Sequence, residues 1–160
     1  MLYHPGGWVI VLSFTVAFLL TSIPLPAWLE PFHPDWLCLV LIYWCLALPQ
    51  RVGMGTAWVL GLLQDVARGT LLGQHALALV VVAYISLKMH RRLRLFPLWQ
   101  QSLSVLALLL IEQILVSWVS GISGYPPRDL GYLAPALGGM LVWPWVFILL
   151  RDLRQRFRIA

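Results

Sequence analysis

Two clusters in this chain have residue types that could do chemistry. Asp65 stands three residues before Arg68, a spacing that puts both on one face of a helix. The pair reads either as an ion pair closing the end of an apolar run and holding the 67–73 turn, or as a carboxylate offered to a partner helix or a ligand. Gly53, Gly55, Gly61, Gly69 and Gly73 surround it, and small residues let helix backbones approach closely in a membrane. The second cluster is Glu112 with Gln113, deep in an apolar run. With no charged neighbour in sequence, Glu112 must find a partner across helices, be protonated, or face a wet cavity. Placed there, it would suit a proton relay or transport.

Gly121-Ile122-Ser123-Gly124 fits the pattern around the nucleophile of rhomboid-type intramembrane serine proteases. Such an enzyme needs a histidine base supplied by a later helix, and His4, His33, His75 and His90 all precede Ser123. A turn is the simpler reading, and no enzyme is expected. The histidines are scattered and show no paired spacing with an acidic residue, so neither metal nor other cofactor is expected. A phosphate-cradling glycine loop is also missing. Cys38 and Cys45 lie seven residues apart, about 10.5 Å along a helix. That is too far for a disulfide, so they read as free thiols in apolar packing.

The elements that would position these groups are apolar almost throughout. Of 160 residues, 61% are hydrophobic and 11% charged, which leaves no room for a soluble domain. Runs suited to a hydrocarbon core of about 30 Å cover 8–23, 36–48, 53–67, 72–89, 98–120 and 132–150. The expectation is a single all-α polytopic membrane domain of about six helices. The pair within 36–67 is short, and Pro49-Gln-Arg-Val-Gly53 barely separates its members, so it forms either a tight hairpin of two spans or a partly re-entrant pair. The first run lacks a basic leader and a small-x-small cleavage site, and is taken as a retained span. Trp8, Trp28, Trp36, Trp99 and Trp143 fall near run ends, as interfacial anchors do. Trp44, Trp58 and Trp118 fall inside runs, where packing or partner contact is expected.

Charge placement sets the orientation. Arg51, the loop residues Lys88, Arg91, Arg92 and Arg94, and the tail residues Arg151, Arg154, Arg156 and Arg158 share one side, against Arg68 and Arg128 on the other. The positive-inside rule then places both termini in the cytoplasm. These clusters account for the net charge of +5 and read as orientation signals and contacts for anionic lipid, with no nucleic acid expected.

Several stretches resemble the MreD family of rod shape-determining proteins. They are Phe32-His-Pro34-Asp35-Trp36, Tyr43-Trp44-Cys-Leu46-Ala47-Leu48-Pro49-Gln-Arg51, Asp65 with Gly69-Thr70-Leu71-Leu72-Gly73, Leu98-Trp99-Gln100-Gln101, and Trp143-Pro144-Trp145 before Arg151 and Arg154. The likeness runs from about Trp8 to Phe157. It implies a non-catalytic inner-membrane subunit of the bacterial cell-elongation complex. The implied direct partner is MreC, with MreB, the RodA glycosyltransferase and the elongation-specific transpeptidase in the same assembly, which directs side-wall peptidoglycan synthesis. A homodimer is compatible with it. It also implies a fold similar to the substrate-binding subunits of energy-coupling-factor transporters. On that footing MreC docks near 44–73, with Asp65, Arg68, Gly69 and Gly73 shaping the site and Arg51 at its rim. The competing expectation is a small-molecule-binding or transport subunit of that transporter type, with Gln64, Gln74, His75, Glu112, Gln113 and Ser117 as pocket candidates.

Overall fold

The computed structural model of the chain describes residues 7–22, 36–47, 52–68, 73–122 and 133–156. Six α-helices form among them: α1 Gly7–Ser22, α2 Trp36–Ala47, α3 Met54–Arg68, α4 Gln74–Leu95, α5 Leu98–Ile122 and α6 Leu133–Arg156. Their positions match the apolar runs closely. Stretches Leu98–Val119 of α5 and Ala136–Arg156 of α6 are long and apolar enough to cross a membrane, while Trp8–Leu20 and Trp36–Ala47 are shorter apolar helices.

α2 is the hub. Its sequence, Trp-Leu-Cys-Leu-Val-Leu-Ile-Tyr-Trp-Cys-Leu-Ala, has no polar stripe, and a helix that is apolar all round is stable only when covered all round. Every residue from Leu37 to Ala47 is buried, with α1, α4, α5 and α6 packed about it. The indole N–H of Trp44 donates to Ser13 Oγ at 2.8 Å, tying α2 to α1. On the α6 side, Tyr43 meets Phe147 edge-on with ring centroids 5.7 Å apart, and Phe147 leans on Trp143. Cys38 and Cys45 are free and buried in this helix, as expected.

α3 packs chiefly against α4, and Gly61 makes that possible. A β-carbon at Gly61 would collide with the backbone of Ala76 and would lie 2.9 Å from the carbonyl carbon of His75. The two backbones therefore touch, as small residues allow where dispersion rather than hydrophobicity drives helix association. Gly139 plays a similar part in α6, facing the Leu109 side chain of α5.

α3, α4 and α5 run antiparallel in succession, and α6 runs antiparallel to α5, with Gly139 facing Leu109 and Trp143 reaching Gln101. Gly53 at the start of α3 faces Leu87 late in α4, and Asp65 late in α3 reaches His75 at the start of α4. Gln74 bonds Val116 of α5, whereas Gln101 at the start of α5 bonds Leu93 at the end of α4. The 88–94 and 151–156 segments therefore lie at one end of the bundle, which is the side-sharing that the charge pattern implies.

Two expectations need correction. Residues 88–95 and 151–156 are not loop and tail: α4 continues to Leu95 and α6 to Arg156. Charge ends a hydropathy run but not a helix, since Lys, Arg and Leu are good helix formers. What ends α4 is Pro97, which pushes Phe96 to φ −71°, ψ 144°. For the same reason Trp143 is no interfacial anchor. With α6 extended it falls at mid-helix and is fully buried, its indole N–H donating to Gln101 Oε1 at 3.2 Å. Trp8 and Trp99, at helix starts, are exposed as anchors would be, Trp58 and Trp118 also face outward, and Trp28 lies outside the described residues.

The Gly61 contact predicts that Gly61→Leu loses the α3–α4 interface, with an expected cost of at least about 1–3 kcal/mol for overpacking. Gly55→Ala, with open space at its β-carbon, should fold normally. Size-exclusion profiles and thermal unfolding of the detergent-solubilised variants check this.

Candidate functional site

The end of the bundle where α3 meets α4 holds the polar groups singled out in the middle of the chain. α4 begins without a cap of its own. Its N-cap residue is Gly73, at φ 101° in the left-handed region, and has no side chain to bond the first-turn N–H groups. Those N–H groups lack intrahelical partners, and inside a bilayer an unbonded one costs several kcal/mol. Asp65 supplies the acceptor from the neighbouring helix. Its Oδ2 accepts the Gly73 N–H at 2.8 Å. Its Oδ1 accepts the His75 N–H at 2.9 Å and lies 2.7 Å from His75 Nδ1.

Both partners are withdrawn from the surroundings, with the Asp65 side chain 0% and the His75 side chain 5% exposed. A buried carboxylate is tolerable when it is hydrogen-bonded and paired, and the positive end of the α4 dipole adds to this. Beside it, Gln74 Nε2 donates to the Val116 carbonyl at 3.0 Å, so α5 is joined to the same knot. Glu112, one turn before Val116, is 1% exposed and so sits inside the bundle, away from lipid. Gln113 is half-buried.

The opposite end is basic. Lys88, Arg91 and Arg92 are exposed on the last turns of α4, and Arg151 and Arg156 on those of α6, with Arg154 half-buried. Lys88 lies over the Tyr84 ring at 5.2 Å, and the Arg151 guanidinium over Phe147 at 5.6 Å, cation–π placements that keep the charged heads near the apolar surface. Gln101, 3% exposed, ties this end together by donating from Nε2 to the Leu93 carbonyl while Oε1 receives Trp143.

The residues singled out from sequence thus separate. Asp65 and Gly73 are joined directly, Gln74 and His75 stand with them, and the basic residues form the other end. Arg68 and Arg94 belong to α3 and α4, but their side chains, with Arg51, Gly69, Arg158 and the Ser123 motif, lie outside the described residues. The Asp65–Arg68 pairing therefore falls there too. Sequence reasoning missed His75 as the Asp65 partner because ten residues separate them. A signal existed: a helix opening on Gly73-Gln-His, with no Ser, Thr, Asp or Asn at its cap, must borrow an acceptor from elsewhere.

Two helices long and apolar enough to cross a membrane, with charged groups gathered towards the ends of the bundle, fit a helical membrane protein. Comparison with known proteins agrees. Residues 4–153 match the family described as rod shape-determining protein MreD. The rod shape-determining protein MreD of Haemophilus influenzae is 37% identical over 153 residues, covering 95% of this chain and 94% of that protein. No solved structure matches the chain significantly. The chain belongs to the MreD family, a membrane-protein family of the rod-shape system.

The cap geometry predicts that Asp65→Asn, which keeps the shape but gives up the charge, destabilises the bundle by about 1–3 kcal/mol. Gly73→Ala should cost about 1–2 kcal/mol through its left-handed backbone alone. His75→Ala combined with Asp65→Asn should cost less than the two single losses added, since the residues share one contact. Thermal unfolding in detergent reads all three.

Proposed function

We propose that this chain is a non-catalytic, multi-pass scaffold subunit of the bacterial inner membrane, with six spans and both termini in the cytoplasm. It holds MreC within the cell-elongation complex that also contains MreB, RodA and the elongation-specific transpeptidase, and so helps direct side-wall peptidoglycan synthesis. The observation that carries this is the family match over residues 4–153. The gathering of the basic residues at one end of the bundle supports the orientation through the positive-inside rule.

Docking of MreC near 44–73 takes the following form. Asp65 and Gly61 lock the inner face of α3 onto α4, so they shape the site without touching the partner. The outer face of α3 presents Met54, Trp58, Val59, Leu63 and Val66. A single-span helix lying against that face would meet Gly55 as the close-approach point, with Arg51 near the cytoplasmic rim. The alternative, a small-molecule subunit of energy-coupling-factor type, needs polar groups that converge on an open pocket. Gln74, His75 and Asp65 are instead engaged with neighbouring helices, which favours the scaffold.

Affinity purification from native membranes in mild detergent tests the reading. Recovery of MreC with the wall synthases is expected, and recovery of an ATPase pair with a coupling subunit would replace the scaffold by the transporter reading. Leu63→Arg, a charge on the outer face of α3, should reduce MreC recovery at least tenfold and leave the protein folded. Full recovery with that variant would move the docking face elsewhere.

A further inference from the structure

At the basic end, α2, α5 and α6 leave a pocket of about 360 Å³ lined by Tyr43, Leu46, Ala47, Gln101, Phe147 and Arg154. We propose that this pocket binds the phosphate headgroup of an anionic phospholipid.

Its lining is mixed in chemistry. The polar part of the lining is Arg154 and Gln101, the latter in the first turn of α5, where its N–H makes the first intrahelical bond, to Pro97. The N–H groups of Leu98, Trp99 and Gln100 precede that bond and give α5 a positive end. The Gln101 amide is held in place by Leu93 and Trp143, and its Nε2 has a second N–H beyond the one given to Leu93. Of the rest of the lining, Leu46, Ala47 and Phe147 are apolar, and the carbonyl end of α2 is unfavourable to a bare anion. A ligand with a phosphate at one point and hydrocarbon next to it suits both parts of the lining; a free inorganic anion suits only the polar part.

Depth argues for lipid as well. The pocket sits where the membrane-length stretches Leu98–Val119 and Ala136–Arg156 end, so on the reading of α5 and α6 as spans it lies at headgroup level. Arg151, stacked on the pocket residue Phe147, adds positive charge at the mouth. The exposed Asp152 on the same turns subtracts one charge, and Arg156 restores it. Basic pockets between membrane helices are where anionic headgroups bind.

The test is lipid binding to the purified full chain in a non-ionic detergent, by native mass spectrometry and thermal shift. The probes are phosphatidylglycerol, phosphatidylethanolamine, inorganic phosphate and a glutamate-rich peptide. Phosphatidylglycerol should bind wild type and stabilise it where phosphatidylethanolamine does not. Arg154→Gln should weaken phosphatidylglycerol about tenfold, the loss of one charge-assisted contact. Arg156→Gln, which removes an equal charge outside the pocket, should leave binding within twofold. Ala47→Leu fills the pocket with every charge kept and should also abolish binding, which covers the case in which Arg154→Gln fails to fold. Equal weakening by Arg154→Gln and Arg156→Gln would overturn the site in favour of a diffuse basic surface. Unchanged binding to Ala47→Leu, or equal stabilisation by inorganic phosphate or by the acidic peptide, would overturn it too.

Discussion

A helix whose first turn is buried must find acceptors for its opening N–H groups, and α4 has no cap side chain of its own. The Asp65 carboxylate meets that need from α3, bonding Gly73 and His75, and most of the architecture at that end follows. It ties the last turn of α3 to the first turn of α4, and further along Gly61 brings the two backbones into contact. It also gives a buried carboxylate two backbone N–H donors and a close imidazole, the condition under which such a group can stay inside an apolar bundle. Gln74 then carries the constraint to α5.

Around that fixed pair the remaining helices close on α2. Because α2 is covered on every side, it contributes packing and meets lipid nowhere from Leu37 to Ala47. The bundle surface is made by α1, α3, α4, α5 and α6, whose outward residues are mostly large and apolar. Charged chemistry gathers towards the two ends: the buried Asp65 knot at one, and an exposed basic collar at the other.

Much of this was legible in the residues. Six apolar runs became six helices with nearly the same bounds, because an apolar stretch bounded by Pro, Gly or charge has few alternatives in a bilayer. The common side of the basic clusters followed from parity of the runs. Other features were not local enough to read. The ends of α4 and α6 escaped because hydropathy reports the solvent and not the backbone, and Lys88 to Leu95 stays helical in either. Trp143 was misplaced for that reason alone. The partner of Asp65 escaped because Arg68 is near in sequence while His75 is near only after the turn is made. The central place of α2 was implied by its lack of a polar face, but which helices cover it depends on contacts across the whole chain.

Everything proposed about partners and lipid depends on which end of the bundle faces the cytoplasm. The direct measurement is thiol labelling with a membrane-impermeant maleimide, after Cys38 and Cys45, both buried, are replaced by Ala. Single cysteines then go in as Arg92→Cys and Arg128→Cys. In spheroplasts the reagent should label position 128 and spare 92, and in inverted vesicles the pattern should reverse. Labelling of 92 from outside, or of both positions from one side, would contradict the orientation and with it the six-span scaffold.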